Sequence, residues 1–136
     1  MKKKLRAILL VDDNPADNLY HRMVIEAENV TESIIIVEDG IEALEYLTNC
    51  PEENQPDLIF LDINMPRMNG WEFLDEYDKL DSTQKDHCIM MMLSTSDAVE
   101  DKLKATKYKY IRGYSSKPLT AKMLREVIED NFADYL

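Results

Sequence analysis

The sequence has few cysteines and no long apolar run. Only Cys50 and Cys88 occur among its 136 residues, and their spacing fits neither a metal-binding motif nor a disulfide framework. We therefore expect two unpaired thiols in a reducing compartment, which favours a cytoplasmic protein. No segment approaches the roughly 18 consecutive apolar residues of a transmembrane helix, so we expect no membrane span.

A secretion signal is not expected either. The basic start Met1-Lys2-Lys3-Lys4 resembles the first part of a signal peptide, but the apolar run behind it covers only residues 7–11 and then meets two aspartates. A signal peptide needs an apolar stretch of about 7–15 residues.

Basic residues are also scarce relative to acidic ones. The chain has 16 Lys and Arg against 27 Asp and Glu, and its formal net charge is −11. Nonspecific binding to nucleic acid relies on Lys and Arg contacting phosphates, so we expect no direct contact with nucleic acid. The same acidity suits a bound cation, although an acidic surface in contact with solvent accounts for most of these charges.

Strand-like and helix-like patterns alternate along the chain. Five short segments have the apolar or β-branched character of strands in a parallel sheet: residues 5–11, 33–37, 58–61, 89–93 and 111–115. Five β-α units in series predict an α/β fold, with a doubly wound five-stranded parallel sheet and helices on both faces. The length suits one domain, expected over residues 1–136 with its core at about 5–132.

The same patterns predict where helices begin and which faces they bury. Asn14-Pro15 predicts the start of the first helix, and Ser96-Asp97 the cap of the fourth. The third helix is expected to run through Leu80. The apolar positions expected to line these helices are Leu19, Met23, Val24 and Ala27 in the first, Phe73, Leu74 and Tyr77 in the third, and Val99 and Leu103 in the fourth.

Polar residues follow four of the predicted strands. Asp12 and Asp13 follow the first, Asp62 the third, Ser94 the fourth and Lys117 the fifth. In open parallel sheets, ligands bind beyond the carboxyl ends of the strands where the strand order reverses. If the first and third strands are neighbours, these side chains converge at one edge of the sheet.

Three carboxylates at one point favour a bound cation. Two like charges about 4 Å apart repel by roughly 4 kcal/mol at an effective dielectric near 20. Mg2+ prefers oxygen ligands that include one or two carboxylates and a phosphate oxygen, and the backbone carbonyl of Asn64 is placed to join them. Asp62 is a candidate nucleophile for a phosphoryl group, with Lys117 and Ser94 contacting phosphate oxygens.

Four segments that carry these residues resemble the receiver domain of two-component response regulators. They are residues 11–14, 61–70, 93–96 and 113–118, and the resemblance extends over about 5–132. It implies a flavodoxin-like strand order 2-1-3-4-5. It also implies a stand-alone receiver, because the length leaves no room for a DNA-binding output domain.

The resemblance assigns roles to the site residues. It implies that Asp62 is the phosphoacceptor and that Mg2+ is bound by Asp12, Asp13, Asp62 and the Asn64 carbonyl, with Asp12 acting largely through water. Ser94 resembles the switch hydroxyl, Tyr114 the aromatic side chain that turns inward on activation, and Lys117 the phosphate-contacting lysine, with a cis bond to Pro118.

The resemblance also implies the partners. A histidine kinase or phosphotransfer protein would donate the phosphoryl group, and a downstream protein would read the result, with a homodimer left open. The segment at 93–96 and the long loop before the third strand look like those of receivers that pair with phytochrome-type and other hybrid kinases.

Two other functions stay open. An aspartyl-phosphate phosphatase of the haloacid dehalogenase kind resembles this site, but it uses a second Asp two residues after the nucleophile as acid and base. Asn64 occupies that position and cannot transfer a proton. The other alternative is a phosphate-independent scaffold of receiver shape, which the intact acidic residues argue against.

A basic, aromatic cluster stands out near the end of the fourth helix. It comprises Lys107, Tyr108, Lys109, Tyr110 and Arg112. The cluster is either a solvated helix end or a surface that docks a partner. Tyr110 falls where the family usually has Gly, and a non-Gly residue resists the left-handed helix cap, so we expect this helix end to differ.

Overall fold

The sheet has five parallel strands, seen in a computed structural model that describes residues 4–80, 88–95, 98–108 and 110–132. The strands are β1 (Ile8–Val11), β2 (Ile34–Val37), β3 (Leu58–Leu61), β4 (Ile89–Ser94) and β5 (Ile111–Ser116). Their order is β2-β1-β3-β4-β5. The predicted α/β fold and strand order are confirmed, including the adjacency of β1 and β3 on which the predicted site depends.

Five α-helices occur in the described residues: α1 (Pro15–Glu28), α2 (Gly40–Asn49), α3 (Gly70–Tyr77), α4 (Val99–Ala105) and α5 (Ala121–Asn131). Asn14 caps α1 with Pro at the first helical position, as predicted. The helix α3 ends at Tyr77 and not at Leu80. The predicted cap at 96–97 lies outside the described residues. No helix in the described parts of the chain combines the length and apolarity that crossing a membrane requires.

The core consists of two apolar clusters, one on each face of the sheet. Successive strand residues point to opposite faces, so Leu9 and Val11 belong to one cluster and Ile8 and Leu10 to the other. The first cluster is covered by α2 and α3 and by the buried end of α4. The second is covered by α1 and α5. The central strands β1, β3 and β4 are thereby buried between two helical layers, and the carboxyl ends of the strands open along one edge.

The predicted buried face of α1 is wrong at Leu19, Met23 and Ala27, which are exposed, whereas Val24 packs against the second cluster. Leu19 and Met23 are each 61% exposed, whereas Asn18, His21 and Ile25 are buried. The helix begins directly after the acidic pair, and the Asn18 side-chain amide donates a hydrogen bond of 2.8 Å to the carbonyl of Asp12. This contact turns Asn18 and His21 towards the sheet, so Leu19 and Met23 face solvent.

The predicted apolar positions of α4 are also exposed. Val99 is 68% exposed and Leu103 61%, while Ala105 is the buried residue of this helix. The helix has seven residues, so it presents only about two turns to the sheet. Its contact with the core is correspondingly small.

Gly70 allows α3 to begin against the backbone that follows β3. Its amide donates a hydrogen bond of 2.8 Å to the carbonyl of Ile63. A Cβ at this position would lie 2.5 Å from the carbonyl oxygen of Asp62 and 3.0 Å from the Cα of Ile63. Both neighbours are backbone atoms, so neither can rotate away, and only glycine permits this approach.

We predict that Gly70→Ala destabilises the protein by about 1–3 kcal/mol, because overpacking against fixed atoms forces the backbone to shift. Urea unfolding measures this loss. Gly113→Ala is the matched control, because its Cβ would meet the Cε of Met91 at 2.8 Å, the end of a flexible side chain. Equal losses in the two variants would contradict the prediction.

Candidate functional site

The predicted site residues converge at the carboxyl edge of the sheet. Val11 pairs with Leu61 in parallel register, so the aspartates that follow them, Asp12 and Asp62, lie side by side and are both buried. Asp13 is more exposed. One carboxylate oxygen from each of the three aspartates lies within 4.8 Å of the others. The spacing is that of a set of oxygen ligands for one cation.

Lys117 provides the positive charge at this edge. Its Nζ lies 2.5 Å from Asp12 Oδ2, 2.8 Å from Asp17 Oδ2 and 3.4 Å from Asp62 Oδ2. The lysine side chain is only 8% exposed. Its backbone amide donates a hydrogen bond of 3.0 Å to the carbonyl of Ser94. The end of β4 therefore fixes the backbone position from which the lysine side chain extends.

Asp17 is a member of this cluster that the sequence did not indicate. It lies in the first turn of α1, and its backbone amide donates a hydrogen bond of 3.0 Å to the side-chain oxygen of the capping residue Asn14. Asp17 does not directly follow a strand. The pattern that located the other residues, a polar side chain at the end of an apolar strand, therefore does not indicate it. An acidic residue in a first helical turn is normally explained by the helix dipole.

The Asp62 carboxylate accepts two hydrogen bonds in addition to its contact with Lys117. Its Oδ1 accepts a hydrogen bond of 2.9 Å from the amide of Ile63, and the hydroxyl of Ser94 donates to it. Burial, followed by the charge of Asp12, raises the pKa of Asp62, and the Lys117 ammonium and these hydrogen bonds oppose the rise.

The ammonium of Lys117 is stabilised in its charged form. Burial alone lowers the pKa of a lysine, but the hydrogen bonds to Asp12 and Asp17, and the charges of Asp12 and Asp62, outweigh it. The pKa of Lys117 is therefore raised, and the site keeps a fixed positive charge at neutral pH.

Two buried polar residues of α1 lie behind the acidic cluster. The Oδ1 of Asn18 and the Nε2 of His21 have no hydrogen-bond partner among the described residues. Both residues line a cavity of about 10 Å³ together with Asp12 and Asp62, which is room for about one water molecule. Burial lowers the pKa of His21, which favours a neutral imidazole beside the site.

The loop between β3 and α3 is held by an ion pair that was not predicted. Arg67 has a positive φ of 59°, and its Nε donates a hydrogen bond of 2.7 Å to Asp39 Oδ2. Asp39 also caps α2. This loop carries Asn64, whose side chain is exposed. The role predicted for the Asn64 carbonyl stays a prediction.

Tyr114 is half-buried in β5. It pairs with Met92 of β4 and packs against the core cluster on the α2 and α3 side of the sheet. Its role as a switch stays a prediction. The predicted cis bond between Lys117 and Pro118 is confirmed.

The aromatic members of the basic cluster pack against α3. Tyr108 stacks on Trp71 with ring centroids 6.1 Å apart, and the hydroxyl of Tyr110 donates 3.2 Å to the carbonyl of Leu74. Tyr110 does not adopt a positive φ. Lys109 lies outside the described residues. The rings are explained by internal packing, so they do not favour a docking surface.

Comparison with known proteins identifies the family. The profile of the response regulator receiver domain matches residues 8–129. The chain belongs to the response regulator receiver family. Receiver domains are signalling modules of two-component systems, and this membership confirms the family that the sequence motifs indicated.

Individual relatives agree with this assignment. Response regulator Rcp1 of Synechocystis sp. is 29% identical over 127 residues, which cover 91% of this chain and 84% of Rcp1. The crystal structure of a two component response regulator from Cytophaga hutchinsonii matches with a TM-score of 0.88 and 31% identity, over 96% of this chain and 99% of the other. The bacteriophytochrome response regulator AtBRR matches with a TM-score of 0.75 and 27% identity, over 94% and 93% of the two chains.

We predict that Asp62→Asn stabilises this receiver domain at pH 7 without divalent cations, by on the order of 1 kcal/mol. Because the pKa of Asp62 is higher in the folded chain than in the unfolded one, ionisation of this carboxyl weakens folding as the pH rises. The advantage of the variant should therefore shrink as the pH is lowered towards 4.

Urea unfolding in the presence of a chelator, at several pH values, measures this difference. Glu32→Gln is the control, because Glu32 is an exposed acid and its loss makes the same change in net charge. An Asp62→Asn variant that is less stable than the wild type at pH 7 would contradict the electrostatic account.

Proposed function

We propose that this receiver accepts a phosphoryl group onto Asp62 from a histidine kinase or phosphotransfer protein, with Mg2+ as cofactor. The observation that carries the proposal is the convergence of a buried Asp62 carboxylate with Asp12, Asp13 and the ammonium of Lys117. Membership of the receiver family supports it.

The donor set fits the metal. Asp12, Asp13 and Asp62 would hold Mg2+, with the Asn64 carbonyl as a further oxygen, because hard cations prefer carboxylate and carbonyl oxygens. When bound, Mg2+ neutralises charge on the transferring phosphoryl oxygens. The three aspartates offer oxygen atoms at the spacing that such a site needs.

The protein's own groups divide the remaining work. The Asp62 carboxylate attacks phosphorus, the bond from phosphorus to the donor histidine nitrogen breaks, and an aspartyl-phosphate forms. The ammonium of Lys117, already 3.4 Å from Asp62, places its charge on the phosphoryl group. The hydroxyl of Ser94, already hydrogen-bonded to Asp62, donates to a phosphoryl oxygen.

The output is a change of surface. Phosphorylation adds about −1.5 to −2 charges and strong acceptor oxygens, which draw the Ser94 hydroxyl towards them. Tyr114 lies on the strand next to β4 and moves into the space that Ser94 vacates. The surface formed by α4, β5 and α5 then changes, and a downstream protein or a second copy of the chain reads it.

A phosphatase that releases its phosphate rapidly is not favoured. The residue two positions after the acceptor is Asn64, which has no acid or base to transfer a proton, and its side chain is exposed. The phosphoryl group is therefore expected to stay attached long enough to act as a signal.

The solvent-facing side of α1 is the surface that we expect a phosphodonor to contact. It presents Leu19, Tyr20 and Met23, which are 61%, 47% and 61% exposed, on the helix that begins directly after the acidic pair. A donor must bring a phosphohistidine to Asp62, so a partner at the site also lies beside α1. A helical histidine-bearing domain suits an exposed apolar helix face.

We predict that acetyl phosphate and Mg2+ label the wild type and that Asp62→Asn abolishes the labelling, because the amide has no nucleophilic carboxylate. A chelator should abolish labelling of the wild type. Intact-protein mass spectrometry detects the added phosphoryl group. Glu32→Gln should label normally. Labelling of the Asp62→Asn protein would contradict the assignment of Asp62 as phosphoacceptor. A wild type that is never labelled would favour the phosphate-independent scaffold.

We predict that Leu19→Glu slows phosphotransfer from the cognate kinase by about tenfold, the effect of losing roughly 1.4 kcal/mol of contact. Labelling by acetyl phosphate should be unchanged, because the small donor does not contact α1. Leu103→Glu on α4 is the matched control, because Leu103 is exposed to the same 61%.

A phosphotransfer profile against purified histidine kinases, with bacteriophytochromes among them, identifies the cognate donor for this comparison. If Leu19→Glu and Leu103→Glu slow transfer equally, or if neither does, α1 is not the donor surface.

A further inference from the structure

We propose that Asp17 is a positioning residue that competes with the phosphoryl group for Lys117 and so shortens the lifetime of the phosphorylated state. The inference rests on the proposed function, because it concerns the same lysine. It adds a residue to the site that neither the strand-end pattern nor the resemblance indicated.

The distances show how the ammonium is shared. Lys117 Nζ is closer to Asp17 (2.8 Å) than to Asp62 (3.4 Å), and closest to Asp12 (2.5 Å). An ammonium has three N–H donors, and in this arrangement three carboxylates surround it. A phosphoryl group on Asp62 therefore has to draw a donor away from one of these carboxylates.

Asp17 is held where it can compete. The Asn14 cap accepts a hydrogen bond of 3.0 Å from its backbone amide, and Pro15 begins the helix. The position of the Asp17 carboxylate is therefore set by the start of α1. This carboxylate approaches the lysine from the helix, while Asp12 and Asp62 approach it from the strand ends.

Asp17 acts on the site through Lys117 and not as a metal ligand. It is not a member of the group of acidic oxygens that lie within 4.8 Å of one another, which comprises Asp12, Asp13 and Asp62. Its side chain is 33% exposed, whereas that of Asp12 is 7% exposed. Asp17 can therefore lose the lysine to a phosphoryl group and remain hydrated.

Replacing the carboxylate should release the lysine to the phosphoryl group. We expect Asp17→Asn to bind beryllofluoride about two- to fivefold more tightly at saturating Mg2+, the range expected for one partly exposed ion pair. The half-life of the form labelled by acetyl phosphate should lengthen by a similar factor. Isothermal titration and the decay of the labelled mass measure the two quantities.

Three further variants separate the lysine contact from charge alone. Asp17→Glu keeps the carboxylate and should restore wild-type values. Glu32→Gln removes one exposed charge elsewhere and should change neither quantity. In a Lys117→Gln background, Asp17→Asn should no longer strengthen beryllofluoride binding. If Asp17→Asn does not fold, Asp17→Ser removes the same carboxylate and takes its place.

The outcomes distinguish this proposal from the proposed function. If the wild type labels at Asp62 but Asp17→Asn binds beryllofluoride no more tightly, the role of Asp17 is overturned and the phosphoacceptor stands. An equal gain in the Lys117→Gln background also overturns it, because the effect would then be one of charge alone. A wild type that neither labels nor binds beryllofluoride overturns both.

Discussion

The structure depends on one buried ammonium among carboxylates. Lys117 is held by Asp12, Asp17 and Asp62 at the carboxyl edge of the sheet. Without this positive charge, buried Asp12 and Asp62 would repel each other strongly in a medium of low dielectric. The lysine makes the acidic cluster compatible with folding, and the same charge suits a phosphoryl group.

The rest of the fold keeps this cluster in place. Parallel register sets Asp12 beside Asp62, and the close approach of Gly70 to the Asp62 carbonyl fixes the chain after β3. The ion pair between Arg67 and Asp39 fastens the following loop to α2. Each constraint lies in the backbone or in a short contact, so the site is built before any ligand arrives, which reduces the reorganisation that binding requires.

The sequence predicted the strands and the strand-end residues because both leave local signals, an apolar run and the polar residue that ends it. It failed on part of α1, where Asn18 and His21 are buried and Leu19 is exposed, because a helix beside a polar site turns some of its polar residues inward, against the usual amphipathic rule. The contact of Asp17 with Lys117 depends on the distance between two segments that are far apart in the sequence. The ion pair of Arg67 with Asp39 depends in addition on the positive φ of Arg67. No local sequence pattern indicates either feature. The strand order came from family resemblance, since apolar runs do not specify neighbours.

The most direct test is a crystal structure of the protein with Mg2+ and beryllofluoride. We expect the beryllium on a carboxylate oxygen of Asp62, the metal bound by Asp13 and Asp62, and fluorine atoms within hydrogen-bond distance of the Lys117 ammonium and the Ser94 hydroxyl. Beryllofluoride bound elsewhere, or a Lys117 ammonium that keeps all its carboxylate contacts and none to fluorine, would contradict the account.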